Sequence, residues 1–384
     1  MKPPRLFTVV FMTPRERLLA ALRLEEPDRV PFHLFSGLNP FDPEHWPSDP
    51  GLRTLSELEA KNCDPMIAGS LGERRNFFYT AYPVKTTTET RIEAGMEVTT
   101  TVVETPKGPL TEVSRRPVGV TWSGRRAKAF VENDEELERF LSVPYVPVKP
   151  DVSPFHKLVE KVGERGLVHS GVAEPIRLVW SLMDQRAMTL RFFRDKDSIL
   201  SLEEVFYQRV TDYLEDVLEK GVGYFFVGGP EFVTPPLFGP SQFAEMVVKY
   251  ESGLAKLVHE YDGLAWVHCH GFVNRVLDYF ASTGLDGIHP IDTPPIGDTP
   301  LKEARRKLAG RMCIVGGIQI GDIYHDPKPF LERKVRDAIQ ECGPDGLILC
   351  PSAGPYTPIT DLALGNYKAI VETVEKHGVV RPRV

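Results

Sequence analysis

Short apolar runs recur along the chain and alternate with segments of helical periodicity. Eight such runs cover residues 30–35, 64–70, 166–172, 223–229, 263–269, 285–291, 312–318 and 345–351. Near-continuous apolar runs of this length are typical of parallel strands that are buried on both faces. Between the later runs, the helical pattern covers residues 240–261, 272–284, 300–310 and 329–343. Eight strands that alternate with helices predict an α/β fold of the closed (β/α)8 TIM-barrel type, with a doubly wound open sheet as the alternative.

The alternation is interrupted between the second and third runs. Residues 79–130 are rich in Thr and Val, alternate in polarity and contain turn signals, which is typical of antiparallel strands. We therefore expect a single barrel domain over residues 1–384, with a β-rich insertion at 79–130 between strands two and three. Near the N-terminus, Thr13, Pro14 and Glu16 have the spacing of a capping box with Pro at the first helical position, so a helix should start there.

Composition narrows the class of protein. The chain of 384 residues is 42% apolar and 26% charged, and its net charge is −7 without a Lys- or Arg-rich tract. Such a surface would repel a phosphate backbone, so we expect no nucleic-acid partner. No run approaches the roughly 18 apolar residues of a membrane span, and the N-terminus lacks a signal-peptide pattern, which predicts a cytoplasmic protein. The five cysteines include no CxxC pair, so we expect reduced thiols.

Candidate functional residues follow the predicted strands, because catalytic groups of barrels lie at the carboxyl ends of the strands. Alternate residues of an extended segment point the same way, so His268 and His270 should share a direction. Two imidazoles and a carboxylate form a zinc shell that leaves one position open. Glu231, which follows the fourth run, is the carboxylate candidate for this metal site. The alternative is a pair of hydrogen-bonded rim histidines without metal.

Other residues at these ends have weaker claims. His289 and Asp292 are catalytic candidates, as Glu231 is, although a core hydrogen bond would also explain them. Cys350 is a possible metal ligand or a buried strand residue.

Two further groups are candidates for ligand contacts. Gly316, Gly317 and Gln319 could present backbone amides to an anionic cofactor at a helix start. His33 and Tyr324 are possible substrate contacts.

Four segments together resemble a known family. They are residues 12–32, 268–291, 315–323 and 346–372, and in order and spacing they are similar to the uroporphyrinogen decarboxylase superfamily. The resemblance runs from Thr13 to about Glu375, apart from the insertion, and it implies a (β/α)8 barrel. It also implies one of two chemistries: metal-free decarboxylation of porphyrinogen acetate groups, or zinc-dependent methyl transfer to or from a corrinoid.

Departures from the family patterns choose between these chemistries. The decarboxylases carry an arginine-rich segment after strand one, whereas residues 32–40 contain no arginine, so a polycarboxylate would lack its counter-charges. The methyltransferases have a His-x-Cys pair after strand five and a further Cys after strand eight. This chain has His268 and His270 at the first two places and Ala353 at the third. Either Cys350 or Glu231 supplies the missing ligand, or the metal is absent and the histidines do acid–base work.

The resemblance therefore implies an enzyme closest to the methyltransferase branch. We expect Zn²⁺ to act as a Lewis acid on a small O- or N-methylated donor while a corrinoid, carried by a partner protein, accepts the methyl group. The alternatives are a decarboxylase of a carboxylated, tetrapyrrole-type substrate, a metal-dependent hydrolase or lyase, and a non-catalytic binding barrel. Because barrels of this kind often pair through helices, we also expect a homodimer.

Overall fold

The structure is a computed structural model that describes residues 11–71, 77–120 and 124–379. The strands are β1 (Met66–Ala68), β2 (Thr86–Glu93), β3 (Met96–Val103), β4 (Leu110–Pro117), β5 (Arg125–Lys128), β6 (Leu167–Ala173), β7 (Tyr224–Gly228), β8 (Leu264–His268), β9 (Gly287–His289), β10 (Cys313–Ile318) and β11 (Leu347–Pro351). The chain divides into two compact units, residues 1–70, 153–171 and 222–384 in the first and residues 71–152 and 172–221 in the second. The expectation of a single domain stays a prediction.

Helices connect the strands. They are α1 (Pro14–Leu22), α2 (Pro50–Asn62), α3 (Asp134–Leu141), α4 (Ser153–Val162), α5 (Pro175–Leu182), α6 (Gln185–Arg194), α7 (Lys196–Glu219), α8 (Pro240–Phe243), α9 (Lys249–Glu260), α10 (Leu277–Phe280), α11 (Leu301–Leu308), α12 (Ile320–His325), α13 (Lys328–Cys342) and α14 (Asp361–His377). A π-helical turn over Ala244–Val248 joins α8 to α9, so the predicted helix at 240–261 is present with this irregularity. The predicted helix at 272–284 is reduced to the short α10. Among the described residues, no helix combines the length and apolar character that crossing a membrane requires.

A curved parallel sheet of seven strands forms the first unit. Its order, β1-β6-β7-β8-β9-β10-β11, follows the chain without reversal. A doubly wound sheet reverses its strand order, so that alternative is excluded. Apolar side chains from these strands, including Trp266, Val315 and Ile348, form a buried core on which Leu18 and Leu22 of α1 pack. Seven of the eight predicted strands are thus confirmed.

The prediction of an eighth strand and a closed barrel is wrong for the described residues. The first apolar run, 30–35, makes a single isolated bridge, between Phe32 and Leu349. Pro31 has no N–H to donate to a ladder, and Phe35 leaves the extended conformation with a φ of 54°. Both features prevent a regular strand here. The run still lies beside β11, since His33 N donates to Leu349 O at 3.0 Å.

The second unit contains the predicted insertion. Strands β2 to β5 form a four-stranded antiparallel sheet in sequential order, which confirms the β-rich segment between the second and third predicted strands. Helices α3, α5, α6 and α7 belong to the same unit. Aromatic rings hold it together: Phe77 packs on Phe130 and Phe140, which in turn contacts Phe206 of α7.

Candidate active site

The carboxyl ends of β8 and β9 place two histidine rings side by side. His268 and His289 are register partners of neighbouring parallel strands, and their rings stack with centroids 5.1 Å apart. The two Nδ1 atoms are 2.9 Å from each other. Each strand is apolar up to this last residue, so the sheet holds both imidazoles at the same level.

Hydrogen-bond partners fix the proton positions on these rings. His289 Nε2 lies 3.2 Å from Pro351 O, and a carbonyl oxygen only accepts, so Nε2 carries the proton. Burial, reinforced by the neighbouring His268, holds the pKa of His289 well below its usual range. The ring is therefore neutral, its Nδ1 carries a lone pair, and His268 Nδ1 donates to it.

Glu231 faces the outer nitrogen of His268. Glu231 is the first residue of a 3₁₀ turn after β7, and its Oε1 lies 3.8 Å from His268 Nε2. Because Nδ1 of His268 carries a proton, Nε2 is the nitrogen with the lone pair when this ring is neutral. Both side chains are about one-fifth exposed, 21% and 20%, so the pair is accessible from solvent.

His270 and Asp292 form a second pair at the rim. His270 Nδ1 lies 2.9 Å from Asp292 Oδ2, which also accepts from Gly271 N at 2.9 Å. Burial alone would raise the pKa of Asp292, but these hydrogen bonds outweigh it and the pKa is lowered. The ionised carboxylate therefore fixes the His270 tautomer with Nδ1–H inward and Nε2 outward.

His33 occupies the interior beside these pairs. Its Nδ1 lies 3.2 Å from Met66 N and 3.0 Å from Glu59 Oε1. Glu59, on α2, also accepts from Leu34 N at 3.1 Å and from the Ser36 hydroxyl. The histidine thus accepts from a backbone N–H and lies against a buried carboxylate that no sequence pattern singled out.

A small cavity of about 20 Å³ lies under these rings, with room for about one water. Its lining consists of imidazole, aromatic and aliphatic side chains: His33, Phe35, Met66, His169, Phe226, Trp266, His289 and Val315. Burial, with a smaller effect of His33, lowers the pKa of His169 to about 3. Among the described residues, the lining includes no Lys or Arg.

Cys350 lies in apolar surroundings, unlike these polar groups. Its side chain belongs to the hydrophobic core with Cys313 and Trp266 and has no exposed surface. Burial raises the pKa of its thiol well above the usual value, which disfavours the thiolate that binds metal. Across residues 11–71, 77–120 and 124–379, no three His, Cys, Asp or Glu side chains are placed together to hold a metal ion.

The glycine segment within β10 has a packing explanation. Gly316 and Gly317 both have positive φ, and a Cβ on Gly316 would approach Ile291 N to 3.3 Å. Gln319 donates to Ile291 O at 3.2 Å. At the start of α12, Ile320 N already donates to Ser352 Oγ at 3.0 Å. A role for these residues in cofactor binding stays a prediction.

Tyr324 lies on α12 and contacts another tyrosine. Its hydroxyl donates to Tyr356 O at 2.7 Å, and the two rings are 4.8 Å apart. Burial raises the pKa of Tyr324 to about 12. No described contact joins it to the histidines, and its role with substrate stays a prediction.

Comparison with known proteins identifies the family. The model of the uroporphyrinogen decarboxylase family matches residues 151–377, more than half of the chain. The chain belongs to the uroporphyrinogen decarboxylase family. A search of curated protein sequences returns no match.

Solved structures show a related fold for this family member. A methyltransferase from Methanosarcina mazei is similar with a TM-score of 0.58 and 18% identity, over 95% of this chain and 99% of that one. A B12-independent methionine synthase from Shewanella sp. W3-18-1 has a TM-score of 0.42 and 14% identity, over 74% and 76% of the two chains. The first similarity supports the fold.

Sequence reasoning identified His268, His270, His289, Asp292 and Glu231. The structure brings them into a chain of three, Glu231–His268–His289, and an adjacent pair, His270–Asp292. Sequence reasoning did not identify the aromatic residues around these histidines or the buried partners of His33. A polar residue within an apolar run, such as the histidine in 166–172, is the signal that would have pointed to His169. Nothing in the pattern of α2 distinguishes Glu59 from Glu57, the other acidic residue of that helix.

Proposed function

We propose that this protein is a zinc-dependent methyltransferase that moves a methyl group from a small O- or N-methylated donor to a corrinoid on a partner protein. The observation that carries the proposal is that His268 Nε2 lies 3.8 Å from Glu231 Oε1. The other ring nitrogen of His268, Nδ1, is hydrogen-bonded to His289 Nδ1. An imidazole lone pair and a carboxylate at this distance repel each other unless a proton or a cation lies between them. Zinc would satisfy both groups.

The donor set fits zinc in its chemistry. In tetrahedral geometry, bonds of about 2.0–2.2 Å place two ligand atoms of one zinc ion roughly 3.4 Å apart, so His268 Nε2 and Glu231 Oε1, which are 3.8 Å apart, need to approach only slightly. His270 is held by Asp292 through Nδ1, the arrangement in which histidines usually bind metal through Nε2. Since no three ligands are placed together among the described residues, His270 must move toward the other two when the ion binds.

The residues around the ion have separate tasks. Bound zinc would supply Lewis acidity at the methyl-bearing heteroatom of the donor. Asp292 orients His270, and His289 keeps His268 in the tautomer with Nε2 outward. Phe226 lies 5.2 Å from the His268 ring and Phe35 lies 4.6 Å from the His289 ring, so apolar faces exclude water on the interior side and strengthen the local electrostatics.

Two observations favour this function over decarboxylation. His268 and His270 stand where the family's methyltransferases carry two of their zinc ligands, and the fold is similar to that of a methyltransferase. Residues 32–40, where the family's decarboxylases carry arginines, contain none, so a substrate with several carboxylates would lack partners there. The methyltransferase branch is therefore the better candidate.

Metal content tests the proposal directly. Protein purified without a histidine tag should contain zinc, and His268→Ala and His270→Ala should each lower zinc occupancy sharply with little change in the thermal unfolding midpoint. Asp292→Asn should weaken zinc affinity about 10–100-fold, because it removes the charge that orients His270. His377→Ala, at an exposed histidine of α14, is the matched control and should keep its zinc.

Either of two results would overturn the proposed site. Less than about half an equivalent of metal that added zinc does not restore would exclude it, as would variants that lose zinc only because they unfold.

Methyl transfer is measured separately, by formation of methylcobalamin from cob(I)alamin in the presence of methoxylated aromatics or methylated amines. Zinc binding without methyl transfer from either donor class would favour the hydrolase or lyase alternative.

A further inference from the structure

The four-stranded antiparallel sheet has one edge that is open. Strand β2 is the edge strand, and it pairs with β3 in continuous register over eight residues. All eight β2 residues, Thr86 to Glu93, are exposed. In the described part of the chain, no strand pairs with the outer side of β2, so half of its backbone N–H and C=O groups point outward.

The opposite edge has the features that prevent pairing. Strand β5 has only four residues, its register with β4 shifts between Val113 and Ser114, and three of its residues are Arg or Lys. Short length, a bulge and basic charge are the usual protection of an edge strand. Strand β2 is neither short nor bulged and has a single basic residue, Arg91: it is long and regular, it lacks Pro and Lys, and it carries Ile92 with 70% exposure.

The charges along β2 are complementary to those of a second β2 strand that runs antiparallel to it. In an antiparallel pair of two β2 strands related by a two-fold axis at Thr90, Glu89 of each copy lies opposite Arg91 of the other. Ile92 then lies opposite Thr88, which gives the exposed side chain an apolar methyl neighbour. Opposite charges in directly facing positions stabilise an antiparallel pair. The two neighbouring in-phase registers place like residues opposite each other, Glu89 on Glu89 or Arg91 on Arg91, so charge selects the one centred on Thr90.

We propose that β2 is a homodimerisation edge, at which two copies of this chain pair antiparallel about Thr90 and form one eight-stranded sheet. Closed two-fold symmetry is the commonest arrangement of homo-oligomers. Arg91 also contacts Glu93 of its own strand at 2.7 Å, and its planar guanidinium has enough donors to serve both carboxylates.

Charge reversal with mixing tests the register. Light scattering on size-exclusion chromatography should give wild type twice the chain mass of 43.2 kDa. Glu89→Arg alone and Arg91→Glu alone should each give the monomer mass, because each homodimer would then face two like-charged pairs. An equimolar mixture of the two variants should give the dimer, since every facing pair is again of opposite charge. Arg125→Glu on β5 is the control and should leave the dimer intact.

An unchanged circular dichroism spectrum shows that each variant is folded. Formation of the dimer in the equimolar mixture is a second demonstration that both variants are folded. A monomeric wild type across the concentration range would overturn the proposal. So would variants that remain dimeric alone, or a mixture that stays monomeric. The test is independent of zinc and of methyl transfer.

Discussion

Two buried histidines, His289 and His169, are kept neutral because burial lowers their pKa. His289 is fully buried, and His169 is 9% exposed with a pKa of about 3. Edge-on contact with Trp266, at 5.0 Å between ring centroids, holds the His169 ring. These two rings therefore act as neutral polar aromatic groups within the interior.

Burial of neutral His169 makes stability depend on pH. The folded-state pKa, about 3, is below the ordinary value of 6.5, so between these values the unfolded chain holds a proton that the folded protein does not. Stability is therefore lost as pH falls through this window. His169→Phe removes the effect, and the slope of unfolding free energy against pH between about 4 and 5.5 should decrease by about 1.4 kcal/mol per pH unit.

Urea unfolding at a series of pH values measures this slope. The exposed His377 is not transferred out of water on folding, so His377→Phe should keep the wild-type slope. A His169→Phe variant with the wild-type slope would mean that the buried ring takes up its proton as readily as the unfolded chain does.

Among the helices, α1 shows how a local sequence rule supports the core. Thr13 Oγ1 accepts from Glu16 N at 3.2 Å, and Glu16 Oε2 accepts from Thr13 N at 2.8 Å, so the predicted capping box is confirmed. Thr13→Ala should cost about 1 kcal/mol of unfolding free energy. Thr13→Ser keeps the hydroxyl and should unfold near the wild-type urea midpoint. Equal loss in both variants would place the effect in the methyl group instead of the cap.

The elements divide into those that local pattern determines and those that pairing determines. Seven apolar runs form parallel strands because the apolar side chains of each run are buried in the sheet. The run at 30–35 has the same composition, but Pro31 and the positive φ of Phe35 limit its pairing, and only the neighbouring strands reveal this. The spacing of His268 and His270 in the sequence predicted that pair. The chain of hydrogen bonds that joins His268 to His289 and His289 to Pro351 O depends instead on strand register.

At the scale of the molecule, a buried ion network replaces the strand that is missing between β11 and β1. Asp64 Oδ2 accepts from Phe32 N at 3.0 Å, and Asp64 N donates to Phe32 O at 2.7 Å. The same carboxylate pairs with Arg17 of α1 and, at 2.8 Å, with Arg29. One side chain thus ties the irregular run, the first strand and the N-terminal helix together.

This arrangement predicts a large effect of one isosteric change. Asp64 is fully buried, and Asp64→Asn leaves Arg17, also buried, without part of its counter-charge. Removal of one member of a buried ion pair typically costs about 3–5 kcal/mol, so the urea midpoint should fall markedly. Glu303→Gln, at the exposed pair with Arg306 on α11, is the control and should stay near wild type, because exposed pairs contribute little. If the two variants unfold alike, the backbone bonds of Phe32 and Leu349 are sufficient to hold the run in place.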